Sequence, residues 1–322
     1  MKKKVLVTEP IPQKVIDYLE SEVELERWDK SEKMPRELLL QKIPSFHGLI
    51  TSKDKIDQEF LQTAKNIEGV SNISVGYDNL DIEALKASKV IATHTPYVLD
   101  ETVADLIFGL ILATARRIPE LQQYVREGNW NRSVDQSLFG YNVHHKKLGI
   151  IGMGRIGEKV ARRAKLGFEM EVSYYNRSRK EDVEKELDVK YEEMNSLLQT
   201  SDFILLMTPL TKQTHHMINA EAFKMMKPTC FFINAARGAV VDEEAMINAL
   251  ENKEILGAGL DVFEQEPVAK DNPLLEMDNV VTLPHVGSAT AETREEMKLF
   301  AAKNMLQLLK GEKPDALIKE LQ

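Results

Sequence analysis

The sequence predicts an α/β protein made of two doubly wound parallel-sheet domains, on three observations. Short apolar runs alternate with helical patterns along the whole chain. The stretch Leu148-Gly-Ile-Ile-Gly-Met-Gly-Arg-Ile-Gly157 places glycines at 152, 154 and 157, the G-x-G-x-x-G spacing of a buried strand, a tight turn and a helix start. A length of 322 residues suits two domains better than one.

Strand-like runs fall at residues 5–8, 48–51, 70–74 and 90–92, with helical patterns between them, which describes a small doubly wound domain. A long helical stretch follows over 101–127, kinked or restarted at Pro119. Within it Val103, Leu106, Ile107, Leu110 and Ile111 recur with a helical period. Phe108 and Leu112 are apolar off that stripe, so the helix is expected to be buried on more than one side, joining domains, forming a subunit interface, or both. Further strands are expected at 148–151, 171–175, 203–207, 231–234, 259–262 and 280–283, with a helix over 158–166 after the glycines. A last helix over 291–309 puts Met297, Phe300, Ala301, Met305 and Leu308 on one face and returns the chain to the first domain. The domains are therefore expected at 1–100 with 290–322, and at 101–289, with ligand bound in a cleft between them.

Composition narrows the function. The chain is 43% apolar and 29% charged, and no apolar run approaches the ~18 residues of a membrane span. The apolar run after Lys2-Lys3-Lys4 stops at Glu9 and Pro10, too soon for a secretory signal. A net charge of −9 argues against a nucleic-acid surface and makes each arginine near a predicted site informative. The single cysteine, Cys230, supports no disulfide framework or thiol cluster, and its apolar surroundings make it a small buried residue. These features describe a cytoplasmic enzyme without membrane or nucleic-acid partners.

Three segments place a reactive residue just past a predicted strand, at the edge where open α/β sheets bind ligands. Arg237, after the run 231–234, has the planar fork for bidentate capture of a carboxylate; a structural ion pair is the competing reading. Asp261, Glu264 and Glu266 crowd one strand end, either with shifted pKa values or as turn caps. His285, between Pro284 and Gly287, suits a proton donor, although a lone histidine is more often structural. The doublets His144-His145 and His215-His216 are expected to send adjacent side chains in divergent directions, so no metal site is expected. Trp130 lines a pocket or anchors an interface, and the mixed charges over 177–190 read as a solvated helix face.

Together the segments resemble the D-isomer-specific 2-hydroxyacid dehydrogenase family. The matching elements are Gly152–Gly157, Asn234-Ala-Ala-Arg237-Gly, Asp261-Val-Phe-Glu-Gln-Glu266-Pro and Pro284-His285-Val-Gly-Ser-Ala. The chain is most similar to the glyoxylate/hydroxypyruvate reductase and 2-ketogluconate reductase branch, on Ser74-Val-Gly-Tyr-Asp-Asn-Leu-Asp81, residues 95–105 and Val143-His-His-Lys146. The resemblance implies a Rossmann dinucleotide-binding domain inserted in a flavodoxin-like substrate domain, and a homodimer. It implies that Arg237 binds the substrate carboxylate with backbone N–H groups of Val75 and Gly76, and that His285 donates a proton to the keto oxygen. Glu266 is expected to hydrogen-bond His285 and favour its charged form, and Asp261 to hold the nicotinamide carboxamide. Cofactor contacts are also implied at Arg155 and Ile156, at Thr208 and Pro209, at Ala235 and Ala236, and at Gly287 and Ser288.

One position departs from the NAD pattern. The ribose-binding acid expected after the second Rossmann strand is replaced by Asn176-Arg177-Ser178-Arg179. Without the carboxylate a 2′-phosphate is not repelled, and Arg177 and Arg179 supply charge-assisted hydrogen bonds, so NADP(H) is expected over NAD. The reading is an NADPH-dependent reductase of small 2-keto acids (glyoxylate, hydroxypyruvate or 2-ketogluconate). An NAD-dependent 3-phosphoglycerate dehydrogenase is disfavoured by residue 176 and by the short chain after His285. A dinucleotide-sensing corepressor is disfavoured by the filled catalytic positions.

Overall fold

In the computed structural model, which describes residues 2–131 and 133–321, the chain forms two compact units. One comprises the residues up to Leu99 together with those from Ala289 onward, and the other spans Asp100–Ser288.

The first unit holds a parallel sheet of β1 (Lys4–Val7), β2 (Glu24–Arg27), β3 (Gly48–Thr51), β4 (Gly69–Asn72) and β5 (Ile91–Thr93) in the order β2-β1-β3-β4-β5. That order is the flavodoxin-like doubly wound arrangement. β3 and β4 are buried along their whole length, which is why they read as unbroken apolar or small-residue runs. The helix Ala291–Leu309 packs on this sheet through Met297, Ala301, Met305 and Leu308, all buried. The Ser71 hydroxyl, buried in β4, donates to the Ala301 carbonyl at 2.8 Å.

The second unit holds β6 (Lys147–Ile151), β7 (Glu171–Tyr175), β8 (Lys190–Tyr191), β9 (Phe203–Leu206), β10 (Phe231–Asn234), β11 (Gly257–Leu260) and β12 (Val280–Thr282). Their order is β12-β11-β10-β9-β6-β7-β8, all parallel. Read from β6, this is the Rossmann order with one further strand, and its switch point lies between β6 and β9. The helix Asp100–Ala115 buries Val103, Ile107, Leu110 and Ile111 together with Ala104 and Phe108, so its apolar surface is wider than one stripe. Phe108 stacks on Phe168 with ring centroids 4.8 Å apart.

Several expectations need correction. β2 and β8 were not anticipated: β2 is mostly exposed along its edge, and β8 has two residues. The long helical stretch is two helices, Asp100–Ala115 and Ile118–Arg126, and the break sits at Arg117, whose φ of 55° is left-handed. Pro119 falls in the first turn of the second helix, where its missing N–H costs nothing. The stretch 177–190 is a turn, the helix Glu181–Leu187 and the start of β8, and is not one helical face.

Candidate active site

The glycine turn is built by backbone approach. Gly152 has φ 108°, and a Cβ there would lie 2.6 Å from the Met207 carbonyl carbon. The turn is tied to both neighbouring strands: to β7 by the Gly152 N–H, which donates to Tyr175 O at 3.0 Å, and across the switch point by the Met207 N–H, which donates to Ile151 O at 2.8 Å. The helix Arg155–Phe168 starts at Gly154, which offers no side-chain cap, so the helix N-terminus keeps backbone donors for an anion. A Cβ on Gly154 would meet nothing within 4 Å, while one on Gly157 would meet Gly152 O at 2.8 Å. The loop is thus open at the residue a pyrophosphate approaches and closed at the residue that packs the helix. Beside it, the buried Thr208 hydroxyl has no hydrogen-bond partner among the described residues. An open cradle, a helix N-terminus and an orphaned hydroxyl fit a dinucleotide.

Two residues expected to contact cofactor have other partners. The Asn176 carboxamide accepts from the Met153 N–H at 2.7 Å and donates to Met153 O at 3.1 Å, latching the glycine loop to the end of β7. The Arg155 guanidinium donates to Asp100 at 3.0 Å. Ile156 is half-buried in the same first turn. Arg177 and Ser178 are exposed, and Arg177 makes no hydrogen bond or ion pair among the described residues. Arg179 instead grips Glu184, with Nε and Nη2 at 2.8 and 2.7 Å from its two oxygens. Glu184 also accepts from the Tyr174 hydroxyl at 2.7 Å. These hydrogen bonds, from Arg179 first, hold Glu184 down to about 2.

The second constellation stands on β10, β11 and β12, adjacent parallel strands whose ends fall in register at Asn234, Leu260 and Thr282. Asn234, 1% exposed, accepts the Ala236 N–H at 3.0 Å and donates to Arg237 O at 3.2 Å, which folds Ala235-Ala236-Arg237 into a tight turn. Gly238 follows because nothing larger fits: a Cβ would lie 1.9 Å from the Phe263 carbonyl. That crossing brings the Arg237 turn against the segment leading to Glu266.

Asp261, 1% exposed, accepts the Val286 N–H at 2.7 Å and the Gly287 N–H at 2.8 Å, one on each oxygen. Burial pushes its carboxyl up, and the two amides only partly offset this. The assignment of Asp261 to the nicotinamide carboxamide therefore competes with a clear structural task. It holds His285 at φ 54°, a left-handed conformation unfavourable for a non-glycine residue. In that position His285 Nδ1 lies 2.7 Å from Glu266 Oε2, and Glu266 Oε1 accepts the Phe263 N–H at 3.2 Å. Burial raises the Glu266 pKa, but the His285 hydrogen bond and charge, the Phe263 amide and the Arg237 charge outweigh it and leave it lowered. Arg237 Nη1 donates to Ala236 O at 2.8 Å. Gly287 is buried, Ser288 half-buried and Pro209 exposed.

Val75 and Gly76 lie in the first unit, in the loop after β4, and both are half-buried. The histidine doublets correct an expectation, because their side chains do not diverge. His215 and His216 stack at 4.0 Å, with His216 at φ 51°, and His144 and His145 meet edge to face at 5.0 Å. His216 Nε2 lies 2.9 Å from Glu264 Oε1, and with His215 they form a donor group whose atoms span up to 4.8 Å. Sequence reasoning missed Asn234 as the builder of the arginine turn and Gly238 as its crossing point. Both were visible as an amide and a glycine flanking the arginine motif.

A family model described as D-isomer specific 2-hydroxyacid dehydrogenase, NAD binding domain, matches residues 108–287. A glyoxylate reductase of Pyrococcus furiosus is 45% identical, the match covering 99% of this chain and 96% of that protein. Glyoxylate/hydroxypyruvate reductase B of Cronobacter sakazakii is 45% identical over 97% of this chain and 96% of its own. A solved NADPH-dependent glyoxylate/hydroxypyruvate reductase of Sinorhizobium meliloti, in complex with NADP and malonate, superposes with a TM-score of 0.87 at 30% identity, covering 100% of this chain and 98% of that one.

Gly238→Ala should destabilise the second unit by about 1–3 kcal/mol, the usual cost of overpacking against backbone that cannot yield. Urea unfolding checks this, and an unchanged midpoint would mean the crossing is loose. Glu266 yields a pH test. Its folded pKa lies below the ordinary 4.5, so its ionised form stabilises the fold above that value and the contribution is lost as pH falls through the folded value. The stability margin of wild type over Glu266→Gln should therefore shrink below pH 4.5 in thermal unfolding. A margin independent of pH would contradict the ion pair.

Proposed function

The chain belongs to the D-isomer-specific 2-hydroxyacid dehydrogenase family of nicotinamide-dependent oxidoreductases, and we propose that it reduces glyoxylate and hydroxypyruvate to D-2-hydroxy acids with NADPH. The observation that carries this reading is the His285–Glu266 pair, 2.7 Å long, on the strand end next to Arg237. With Nδ1 committed to Glu266, His285 has Nε2 left to give a proton.

NADPH, when bound, supplies the hydride that the carbonyl carbon receives. The Arg237 fork takes the substrate carboxylate and sets the plane of the neighbouring keto group. The backbone N–H groups of Val75 and Gly76 are assigned to the same carboxylate. His285 Nε2 donates its proton to the keto oxygen as the C=O π electrons move onto it, so an alcohol forms and no alkoxide is released. Glu266 stays ionised and stabilises the ring while Nε2 is protonated. Because 47% of the His285 side chain is exposed, solvent can return the proton after each turnover.

The glycine turn, Thr208, Ala235, Ala236, Gly287 and Ser288 are assigned to the cofactor. Arg177, exposed and without an ion pair, is the main 2′-phosphate ligand. Arg179 contributes less because Glu184 already neutralises it. Residues Ile118, Val125, Trp130, Val134 and Phe139, each more than half exposed, are assigned to a homodimer interface. In this reading the reductase works in the cytoplasm.

His285→Ala should lower kcat for glyoxylate by about 10²–10⁴ with NADPH affinity little changed. Arg237→Lys should lower kcat/KM by about 10² or more. Spectrophotometric turnover checks both, and collapse of cofactor affinity in the histidine variant would make that residue structural. Arg177→Ala should raise KM for NADPH about tenfold and leave KM for NADH nearly unchanged, with Arg179→Ala having the smaller effect. A wild type that prefers NADH would contradict the assignment. Sedimentation should give the dimer mass, and a monomer would remove the interface.

A further inference from the structure

We propose that His94 and Asn72 are positioning residues that hold residues 74–77 as a row of backbone donors for the substrate carboxylate, and that the row includes the N–H of Tyr77. The proposal rests on the 2-keto acid reading and assigns residues that neither the reaction nor the sequence motif requires.

Three consecutive carbonyls in this loop are each held by a different donor. Ser74 O accepts the Thr95 N–H at 2.9 Å, Val75 O lies 2.9 Å from His94 Nδ1, and Gly76 O accepts from Asn72 Nδ2 at 2.9 Å. The peptides here are trans, so each C=O points opposite to the N–H of the next residue. Fixing the carbonyls of 74, 75 and 76 therefore turns the N–H groups of Val75, Gly76 and Tyr77 away from their tethers. Among the described residues none of these three N–H groups donates to a protein acceptor, although all three residues are half-buried. Backbone donors left unspent in succession attract an anion, and a carboxylate has the lone pairs to take them.

The tethers are themselves fixed. A carbonyl can only accept, so His94 must carry its proton on Nδ1. The His94 backbone N–H donates to Ala316 O at 3.1 Å, and the Tyr77 ring meets the imidazole edge to face at 5.4 Å. Asn72 is fully buried, and its Oδ1 accepts from Asn79 Nδ2 at 3.2 Å, which sets the amide orientation and leaves Nδ2 for Gly76.

The test uses side-chain geometry at residue 94. In asparagine, Nδ2 occupies nearly the place of histidine Nδ1, whereas glutamine carries its nitrogen one carbon further out, nearer Nε2. His94→Ala and His94→Gln should raise KM for glyoxylate about tenfold, the scale of one lost hydrogen bond. They should also weaken inhibition by oxamate, a non-reducible 2-keto acid analogue, by a similar factor, with KM for NADPH and the melting temperature close to wild type. His94→Asn should recover most of the affinity. The proposal is overturned if Ala leaves KM within about twofold, if Asn and Gln behave alike, or if KM for NADPH rises in parallel. Should wild type fail to turn over glyoxylate or hydroxypyruvate, the functional reading falls instead, and oxamate binding to these variants still tests the loop.

Discussion

The arrangement of the candidate active site depends on one buried carboxylate. Asp261 leaves β11 with its own N–H on Asn234 O at 2.9 Å, and takes the amides following His285 on its two oxygens. This ties the ends of three neighbouring strands, β10 through Asn234, β11 through its own backbone and the segment after β12 through Val286 and Gly287. Burying a carboxylate is costly, and two short amide bonds offset that cost only where both donors are held rigidly. The same two bonds stabilise the left-handed backbone of His285, which would otherwise relax toward an ordinary conformation and carry the ring off Glu266.

Parallel strands in register make this economical. Because β10, β11 and β12 end at the same level, residues only a few positions past each end converge without long loops. Gly238 permits the closest approach, and Glu266 then lies where the charges of His285 and Arg237 both act on it. The glycine turn belongs to the opposite half of the same sheet, across the switch point between β6 and β9. The proposed dinucleotide cradle and the proposed proton donor thus lie on one carboxyl edge.

Much of this was legible in the sequence. The apolar runs of β6, β9 and β10 are continuous because both faces are covered, and the glycine motif marked the turn where φ is 108°. The strand ends then pointed to Arg237, Glu266 and His285 without knowledge of contacts. What was not legible has physical causes. β2 and β8 lie at sheet edges, where half-solvated residues carry no apolar alternation. The break at Arg117 and the stacking of His215 on His216 depend on left-handed backbone at non-glycine residues, which no residue type announces. Asn176 looked like a missing acid, whereas its amide both gives and takes a hydrogen bond at Met153, a pairing that a carboxylate cannot make. The pairing of Arg179 with Glu184, on the following helix, likewise gave no sign in the sequence.

The account turns on which nitrogen of His285 gives up its proton. Selective ¹⁵N labelling of histidine, followed by nuclear magnetic resonance as pH is raised, reads the two ring nitrogens separately. The structure predicts that Nε2 loses its proton while Nδ1 keeps its own in the hydrogen bond to Glu266. Loss from Nδ1 with Nε2 still protonated would leave no acceptable geometry for the pair, and would contradict His285 as the proton donor.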